Sequence, residues 1–401
     1  MYVSCLFVIV YFCKVNVELN IDRLRYLLSL YWMEEADLLD AINEGLKRKY
    51  TYGQVFSSEV DLKILKKIDS LLFNKGLAFY IDPSPIEVTE RMSVFFRKKS
   101  FNEDLNFTSK KVVNEFETLK NYLASLDSLS NVTTTISIPH YTVRHAPRTA
   151  AQKVRSLIYP EKRYDTPRDF LKALINRLAD VGVLVFEYLE SPKKKEKANI
   201  DGFFLKPNFI VLKRHSSSYK REIFTLLHEL GHCVLNEEEV ESVDIQSMDY
   251  NSMTRIERWC NDFAYYFLIG DYAERVNEIE KADGTNDYQF PLIDDLSKKC
   301  HISKRAIFTR LFYNGKITRH DYDNVIRDLD EQFAKGRTLQ RVSCEIEKDG
   351  FKRKIAVPRP IYSPLFLSTL SVALHDGIVR PAELYQMKIP ARVVEGLGRW
   401  L

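Results

Sequence analysis

Residues 221–232 read REIFTLLHELGH. Apolar positions recur from Tyr219 to Leu235 at the spacing of an amphipathic helix. His228 and His232 are four residues apart, so both imidazoles lie on one helical face and can bind a single metal ion. Glu229 is offset by about 100° around the helix, which lets its carboxylate reach a metal-activated water without acting as a ligand. The pattern predicts a zinc site in which Glu229 is the general base.

A zinc site of this kind needs a third protein ligand and an open position. Glu257 is the best candidate because it lies at the start of the next strong helical pattern, Arg255 to Ile269. Asn261 follows one turn later on the same face and can hydrogen-bond the outer nitrogen of a histidine. Gly231 leaves room for that second helix to approach closely. Two helices therefore supply the predicted site.

Other potential ligands fit less well. His215 precedes the motif in a loop, Cys233 points away from the histidine face, and Cys260 is a small core residue of the second helix. An acidic cluster just past the motif is typical of a solvated helix end, and it consists of Glu237, Glu238 and Glu239. A surface helix that spells the motif by coincidence is the competing interpretation. The apolar stripe and the strands before the motif argue against it.

The length of 401 residues exceeds what one hydrophobic core usually holds, so we expect several domains. The fold class predicted is α+β and mostly helical. We divide the chain into a helical region at 1–85, a helical connector at 86–139, the metal-binding domain at 140–330 and a small α+β domain at 331–401. The first region is either a degenerate helix-turn-helix module or a plain helical bundle.

Strands are predicted both before the motif and near the end of the chain. Val181 to Tyr188 is a run of apolar and β-branched residues, and Gly202 to Leu205 with Phe209 to Leu212 forms a hairpin. Leu339 to Val357 is interpreted as a second hairpin that turns at Asp349 and Gly350. Helices at Leu365–His375 and Pro381–Gln386 complete the C-terminal region.

Composition argues against several classes of protein. Lys and Arg number 59 and Asp and Glu 55, and the net charge of +4 is too weak to indicate nucleic acid by itself. Six scattered cysteines without a C-x-x-C pair indicate a reduced, cytoplasmic protein. The apolar segment from Tyr2 to Cys13 is shorter than the roughly 20 residues of a membrane span. We interpret it as a buried strand or as the product of a start codon placed too far upstream, and we expect no membrane partner.

The motif helix resembles the signature helix of the ImmA/IrrE metallopeptidases. Residues 256–264 are similar to that family's E-x-x-A-N-x-F-A segment, in which the glutamate is the third zinc ligand and matches Glu257. Cys260 stands where the family has alanine, and Gly270 stands where it frequently has proline. Including weaker likenesses, the resemblance spans about residues 140 to 320, and the two motif helices are its most specific part.

The resemblance implies a gluzincin-like zinc endopeptidase with a zincin-like core of a small sheet and two motif helices. It also implies a substrate, a helix-turn-helix transcriptional repressor whose cleavage switches on mobile-element or DNA-damage genes. One alternative is a regulator that binds DNA or a partner and keeps a vestigial site, and another is an antitoxin-like or structural zinc protein. The hairpin strand at 202–205 is a hypothetical place for strand addition by an extended substrate. The donor that stabilises the oxyanion is not identified by the sequence, and Tyr265, Tyr266 and His215 are guesses.

Overall fold

A computed structural model describes most of the chain, and its described part is mostly helical with two small sheets, which confirms the α+β class. The described residues are 15–30, 33–71, 75–85, 105–130, 134–190, 197–214, 218–238, 253–280, 289–346, 360–386, 389 and 391–397. Two compact units are formed by residues 1–118 and 119–401. The finer division of the chain into four segments stays a prediction, and the apolar segment at 2–13 lies outside the described residues.

The first unit combines short helices with a two-stranded sheet. Strand β1 (Asn16–Glu18) pairs antiparallel with β2 (Glu59–Asp61), a sheet that the helical periodicity did not predict. The helices are α1 (Ile21–Leu30), α2 (Glu35–Asn43), α3 (Tyr52–Val55), α4 (Leu62–Leu71) and α5 (Leu77–Ile81). Helix α3 is a single turn.

The second unit contains the predicted sheet. Helix α6 (Phe107–Leu129) spans the division between the two units, and helices α7 (Pro147–Ile158) and α8 (Pro167–Asp180) precede strands β3 (Leu184–Tyr188), β4 (Gly202–Leu205) and β5 (Phe209–Lys213). The strand order is β3-β5-β4, in which β3 and β5 are parallel and β4 and β5 antiparallel. All five residues of β3 are buried, as the continuous apolar run predicts for a strand covered on both faces.

Two long helices pack beside this sheet and carry the predicted site. Helix α9 (Tyr219–Leu235) contacts β4 and β5, and α10 (Arg255–Ile269) packs against both α9 and α7. Their bounds agree with the periodicity of the sequence. Arg155 of α7 caps the carboxyl end of α10 by donating to the carbonyl oxygens of Phe267 and Leu268. Helix α7 therefore holds the carboxyl end of α10.

The rest of the second unit is helical where it is described. After a 3-10 turn at Gly270–Tyr272, the helices are α11 (Ala273–Asn277), α12 (Phe290–Lys299), α13 (Lys304–Tyr313), α14 (Arg319–Ile346), α15 (Pro364–His375), α16 (Pro381–Gln386) and α17 (Ala391–Leu397). No described helix has the length and apolar character that crossing a bilayer requires.

The predicted hairpin at 339–357 is wrong over its first part, because α14 continues to Ile346. The segment fits two periods at once. Leu339, Val342 and Ile346 follow helical spacing, whereas Val342, Cys344 and Ile346 alternate as a strand does. The preceding turns of α14, which begins at Arg319, already supply carbonyl acceptors for the next backbone N–H groups. Extending the helix by one residue therefore costs little free energy. Residues 347–357, including the predicted turn at Asp349 and Gly350, lie outside the described part.

Candidate metal centre

The site is built where α9 and α10 pack against each other. Thr254 caps α10 by accepting a hydrogen bond from the backbone of Glu257, which places that carboxylate in the first helical turn. A Cβ atom on Gly231 would lie 3.1 Å from the Cα, Cβ and Sγ atoms of Cys260. The missing side chain therefore lets the two helices approach, as the sequence predicts. Glu257 consequently reaches across to the histidines of α9.

Three of the predicted side chains meet there. The Nε2 atoms of His228 and His232 are 3.2 Å apart. Oε2 of Glu257 lies 3.0 Å from Nε2 of His228, and Oε1 lies 3.1 Å from Nε2 of His232. Among the residues that the structure describes, this is the group of His, Cys, Asp and Glu side chains able to hold a metal ion.

The donor set fits zinc. Zinc bonds to nitrogen and oxygen of about 2.0–2.2 Å in a tetrahedron place neighbouring ligand atoms roughly 3.3–3.6 Å apart. The observed 3.0–3.2 Å separations are close to that range. Neither carboxylate oxygen of Glu257 has a hydrogen-bond donor other than the two imidazoles among the described residues. Two imidazoles and one carboxylate are the ligand types that catalytic zinc takes, with a fourth position left for water.

Charge and burial support a cation at this position. Glu257 is 0% exposed and His232 is 1% exposed. Burial by itself raises the pKa of Glu257, but His228 and His232 outweigh it and hold the pKa well below its usual range. The carboxylate is therefore anionic and buried, and the positive charge that it requires is supplied by the imidazoles or by a metal ion bound in place of their protons.

Asn261 lies where the sequence places it. Its Oδ1 atom is 3.0 Å from Nδ1 of His228, and its Nδ2 donates to Sδ of Met253 at 3.6 Å. An amide oxygen accepts only, so the imidazole carries a proton on Nδ1, and Nε2 is the nitrogen left to bind a metal ion or, without one, a second proton shared with Glu257. Met253 is a contact that sequence reasoning missed, because nothing in the spacing marks a thioether eight residues before Asn261.

Glu229, the predicted base, lies next to His228 in the sequence of α9. It is buried on α9 beside the histidines and is not part of the three-residue group. Its Cγ atom would lie 3.2 Å from a Cβ on Gly202, at the start of β4. Sequence reasoning did not single out this contact, although glycine inside a strand can signal close approach of another element.

The weaker candidates lie elsewhere or outside the described residues. Cys233 is buried, and burial raises the pKa of its thiol to about 12, which disfavours the thiolate that binds metal. Glu238 accepts a hydrogen bond from the backbone of Lys206 at 2.8 Å, where β4 ends. The rings of Tyr265 and Tyr266 face Arg310 at 4.4 and 5.1 Å. His215 and Glu239 are not described.

Access to the histidines comes from the amino-terminal half of α9. Its partly exposed positions include Arg221, Phe224, Thr225 and His228, whereas every residue from 229 to 235 is buried.

A family comparison matches the segment that contains this site. Residues 179–281 match the family model described as the IrrE N-terminal-like domain, Peptidase_M78. The match covers β3 to β5, both motif helices and α11, and it confirms the resemblance to the ImmA/IrrE metallopeptidases. Searches of curated proteins and of solved structures found no match.

Proposed function

Because the chain carries an IrrE N-terminal-like domain, we propose that it is a zinc-dependent endopeptidase of gluzincin type. The observation that carries the proposal is the meeting of His228, His232 and Glu257, whose ligand atoms lie 3.0–3.2 Å apart. These three side chains would hold the zinc ion. The family match supports a metallopeptidase role, and the donor set supports zinc as the metal.

The residues of the chain divide the work of amide hydrolysis. A bound zinc ion supplies Lewis-acid chemistry, which polarises a carbonyl and lowers the pKa of water. Glu229 would accept the proton of the attacking water on its carboxylate and deliver it to the leaving amine nitrogen. Asn261 would keep His228 in the tautomer whose Nε2 is free to coordinate. Burial of Glu229 and His232 keeps bulk water away from these proton transfers.

We propose a helix-turn-helix repressor as the substrate, and this part rests on the family resemblance alone. Strand addition to β4 is a further part of the proposal. The backbone N–H of Lys213 donates to the carbonyl oxygen of Asp201. Hydrogen-bonded and non-hydrogen-bonded pairs alternate along antiparallel strands, so the backbone N–H and C=O groups of Gly202 and Phe204 point away from β5. Phe203, Phe204 and Leu205 are 0% exposed, so pairing at this edge would require the surroundings of β4 to open.

Zinc content and cleavage together test the proposed function. The purified protein should hold one equivalent of zinc by mass spectrometry and should cut a candidate repressor in a chelator-sensitive manner. Glu229→Gln should keep the zinc and lose about 10²–10⁴-fold in cleavage rate, since a general base contributes that much. Glu237→Gln, just beyond the same helix, is the matched control. Cleavage by Glu229→Gln at the parental rate would refute the role of Glu229.

A DNA-binding regulator with a vestigial site is the competing function. The basic residues of α13 are engaged within the chain, since Lys304 pairs with Asp294, Arg305 with Asp330 and Arg310 with Asp262. Residues 15–85 contain nine Lys and Arg against eleven Asp and Glu, so this region has no excess of positive charge. A salt-dependent gel shift with duplex DNA would favour the competing function.

A structural zinc site is disfavoured by its ligand count. Structural sites close with four protein ligands, whereas the described group offers three.

A further inference from the structure

One face of α9 is docked against the start of β4 over three successive turns. Arg221, Thr225 and Glu229 are spaced by four residues and so share that face. Nε of Arg221 donates to Oδ2 of Asp201 at 2.6 Å, and Nη2 of the same guanidinium contacts that oxygen as well. Thr225 and Glu229 both face Gly202. Strand β4 is thereby held against α9 with Gly202 beside Glu229, the proposed base.

Gly202 fits this place because it has no side chain. A Cβ atom there would lie 2.7 Å from Cγ2 of Thr225, 3.0 Å from the carbonyl oxygen of Val211 and 3.2 Å from Cγ of Glu229. The first distance is below any ordinary carbon–carbon contact, and the second involves a backbone atom that cannot turn away. Glu229 therefore packs its aliphatic stem directly on the backbone of Gly202.

Backbone conformation does not explain a glycine at this position. Gly202 lacks the positive φ seen at Gly182 and Gly270, so an L-residue could adopt its backbone angles. Glycine also weakens a strand interior. Close approach to α9 is the remaining physical reason for it.

We propose that Gly202 is a positioning residue for Glu229, an inference that rests on the proposed function and names a further residue for it. A carboxylate that moves protons must be held near its productive geometry, and a misplacement of about 1 Å can cost 10²-fold in rate. The close wall formed by Gly202 restricts the side-chain torsions of Glu229. The Arg221–Asp201 ion pair keeps that wall in place. The ligands His228, His232 and Glu257 make no part of this contact.

The variant Gly202→Ala tests the proposal. We expect kcat to fall about tenfold to hundredfold while KM and the zinc content stay near parental values. Thr225→Ser removes the methyl group that lies nearest the new Cβ, so the double variant should recover part of the lost kcat. Gly53→Ala is the matched control, since a Cβ there meets nothing within 4 Å and the backbone angle is ordinary. The absorption spectrum of the cobalt-substituted protein should change in Gly202→Ala in the same sense as in Glu229→Gln.

Two outcomes would overturn the positioning role. Parental kcat in a folded Gly202→Ala protein is one, and equal loss of zinc and activity is the other, because the defect would then be general.

Failure of the proposed function itself gives a different pattern. If the parent neither binds zinc nor cleaves, the Gly202–Glu229 contact remains measurable as a coupling in unfolding free energy. Gly202→Ala should then destabilise the parent more than it destabilises a Glu229→Ala background. Equal destabilisation in both backgrounds would refute the contact.

Discussion

Asn261 is a single residue that would not touch the zinc ion but would still affect the affinity of the site for zinc. Its oxygen holds the proton of His228 on Nδ1, so Nε2 keeps its lone pair for the ion. We expect Asn261→Ala to weaken zinc binding by about 10–100-fold. Competition with a chromophoric chelator measures this, and Asn277→Ala is the control on an exposed asparagine. An affinity within twofold of the parent would contradict the assigned role.

His301 gives the protein a stability that depends on pH. Burial lowers its pKa first of all, and the charges of Lys220 and Arg163 add to that, while a hydrogen bond with the backbone of Tyr164 opposes it. The folded pKa lies below the unfolded value of about 6.5, so the unfolded chain binds more protons as pH falls. The buried, neutral imidazole of His301 therefore contributes its full stabilisation above about pH 6.5, and this contribution is lost as the pH falls through the folded pKa.

The variant His301→Asn should flatten this pH dependence. His301 has a φ of 52°, a conformation that asparagine tolerates, so the turn between α12 and α13 should be kept. Each tenfold difference in proton affinity between the two states is worth about 1.4 kcal/mol. Urea unfolding between pH 5 and 8 should show a shallower slope than in the parent. The exposed His320→Asn should keep the parental slope, and an unchanged slope in His301→Asn would contradict the assignment.

Spacing predicted which residues meet, but not what supports them. His228, His232, Glu257 and Asn261 could be named because helical periodicity places each on a defined face. Gly202 could not be assigned its contact, because the distance between a strand and a helix is set by tertiary packing that no local period encodes.

Gly231 controls the spacing of two elements, α9 and α10. A Cβ atom there would lie 3.1 Å from Cα, Cβ and Sγ of Cys260. Cα belongs to the backbone and Cβ is bonded to it, so neither atom can move away without moving α10. We expect Gly231→Ala to push the helices apart, to cost about 1–3 kcal/mol in unfolding free energy and to weaken zinc binding by moving Glu257. Thermal unfolding and zinc titration measure both effects. Gly53→Ala should show neither, and parental zinc affinity in Gly231→Ala would refute the link between helix spacing and the site.

Helices whose apolar residues follow one clear periodicity were predicted well, whereas a segment that fits both a helical and a strand-like periodicity was not. The bounds of α9 and α10 agree with the sequence because their apolar stripes run for four turns. Residues 339–346 satisfy both a helical and an alternating pattern, so the preceding helix decided the outcome. Strands β1 and β2 are three residues each and pair across more than 40 positions, which is too short and too distant for a local pattern to reveal.

Within the second unit, buried charges join the sheet, the motif helix and the C-terminal region. Arg214 follows β5, and its Nη1 lies 2.6 Å from Oε1 of Glu187 and 3.2 Å from Oε2 of Glu222. Its Nη2 donates to the hydroxyl of Tyr219. Glu187 also accepts a hydrogen bond from the backbone of Ile361 at 2.6 Å. The guanidinium of Arg214 thus connects β3 with α9, and Glu187 extends the network to the segment before α15.

Loss of that guanidinium should destabilise the whole unit. The side chains of Arg214, Glu187 and Glu222 are 0–1% exposed, so Arg214→Met would remove the guanidinium that both buried carboxyl groups face. We expect a cost of about 3–5 kcal/mol in unfolding free energy at pH 7, measured by urea denaturation. Lys335→Met, in an exposed pair with Glu331, should cost at most about 1 kcal/mol.

The pH dependence of the Arg214→Met variant separates buried charge from lost packing. Burial already raises the pKa of Glu187, against the opposing effects of the Ile361 amide and Arg214. Without Arg214 the folded pKa of Glu187 rises further above the unfolded value of about 4.3. Protonation then favours the folded state, so the deficit should shrink as pH falls from 7 towards 5. Adding Glu187→Gln and Glu222→Gln should likewise recover stability at pH 7. A deficit that stays constant with pH and with both glutamines would mean that packing, and not charge, holds this junction.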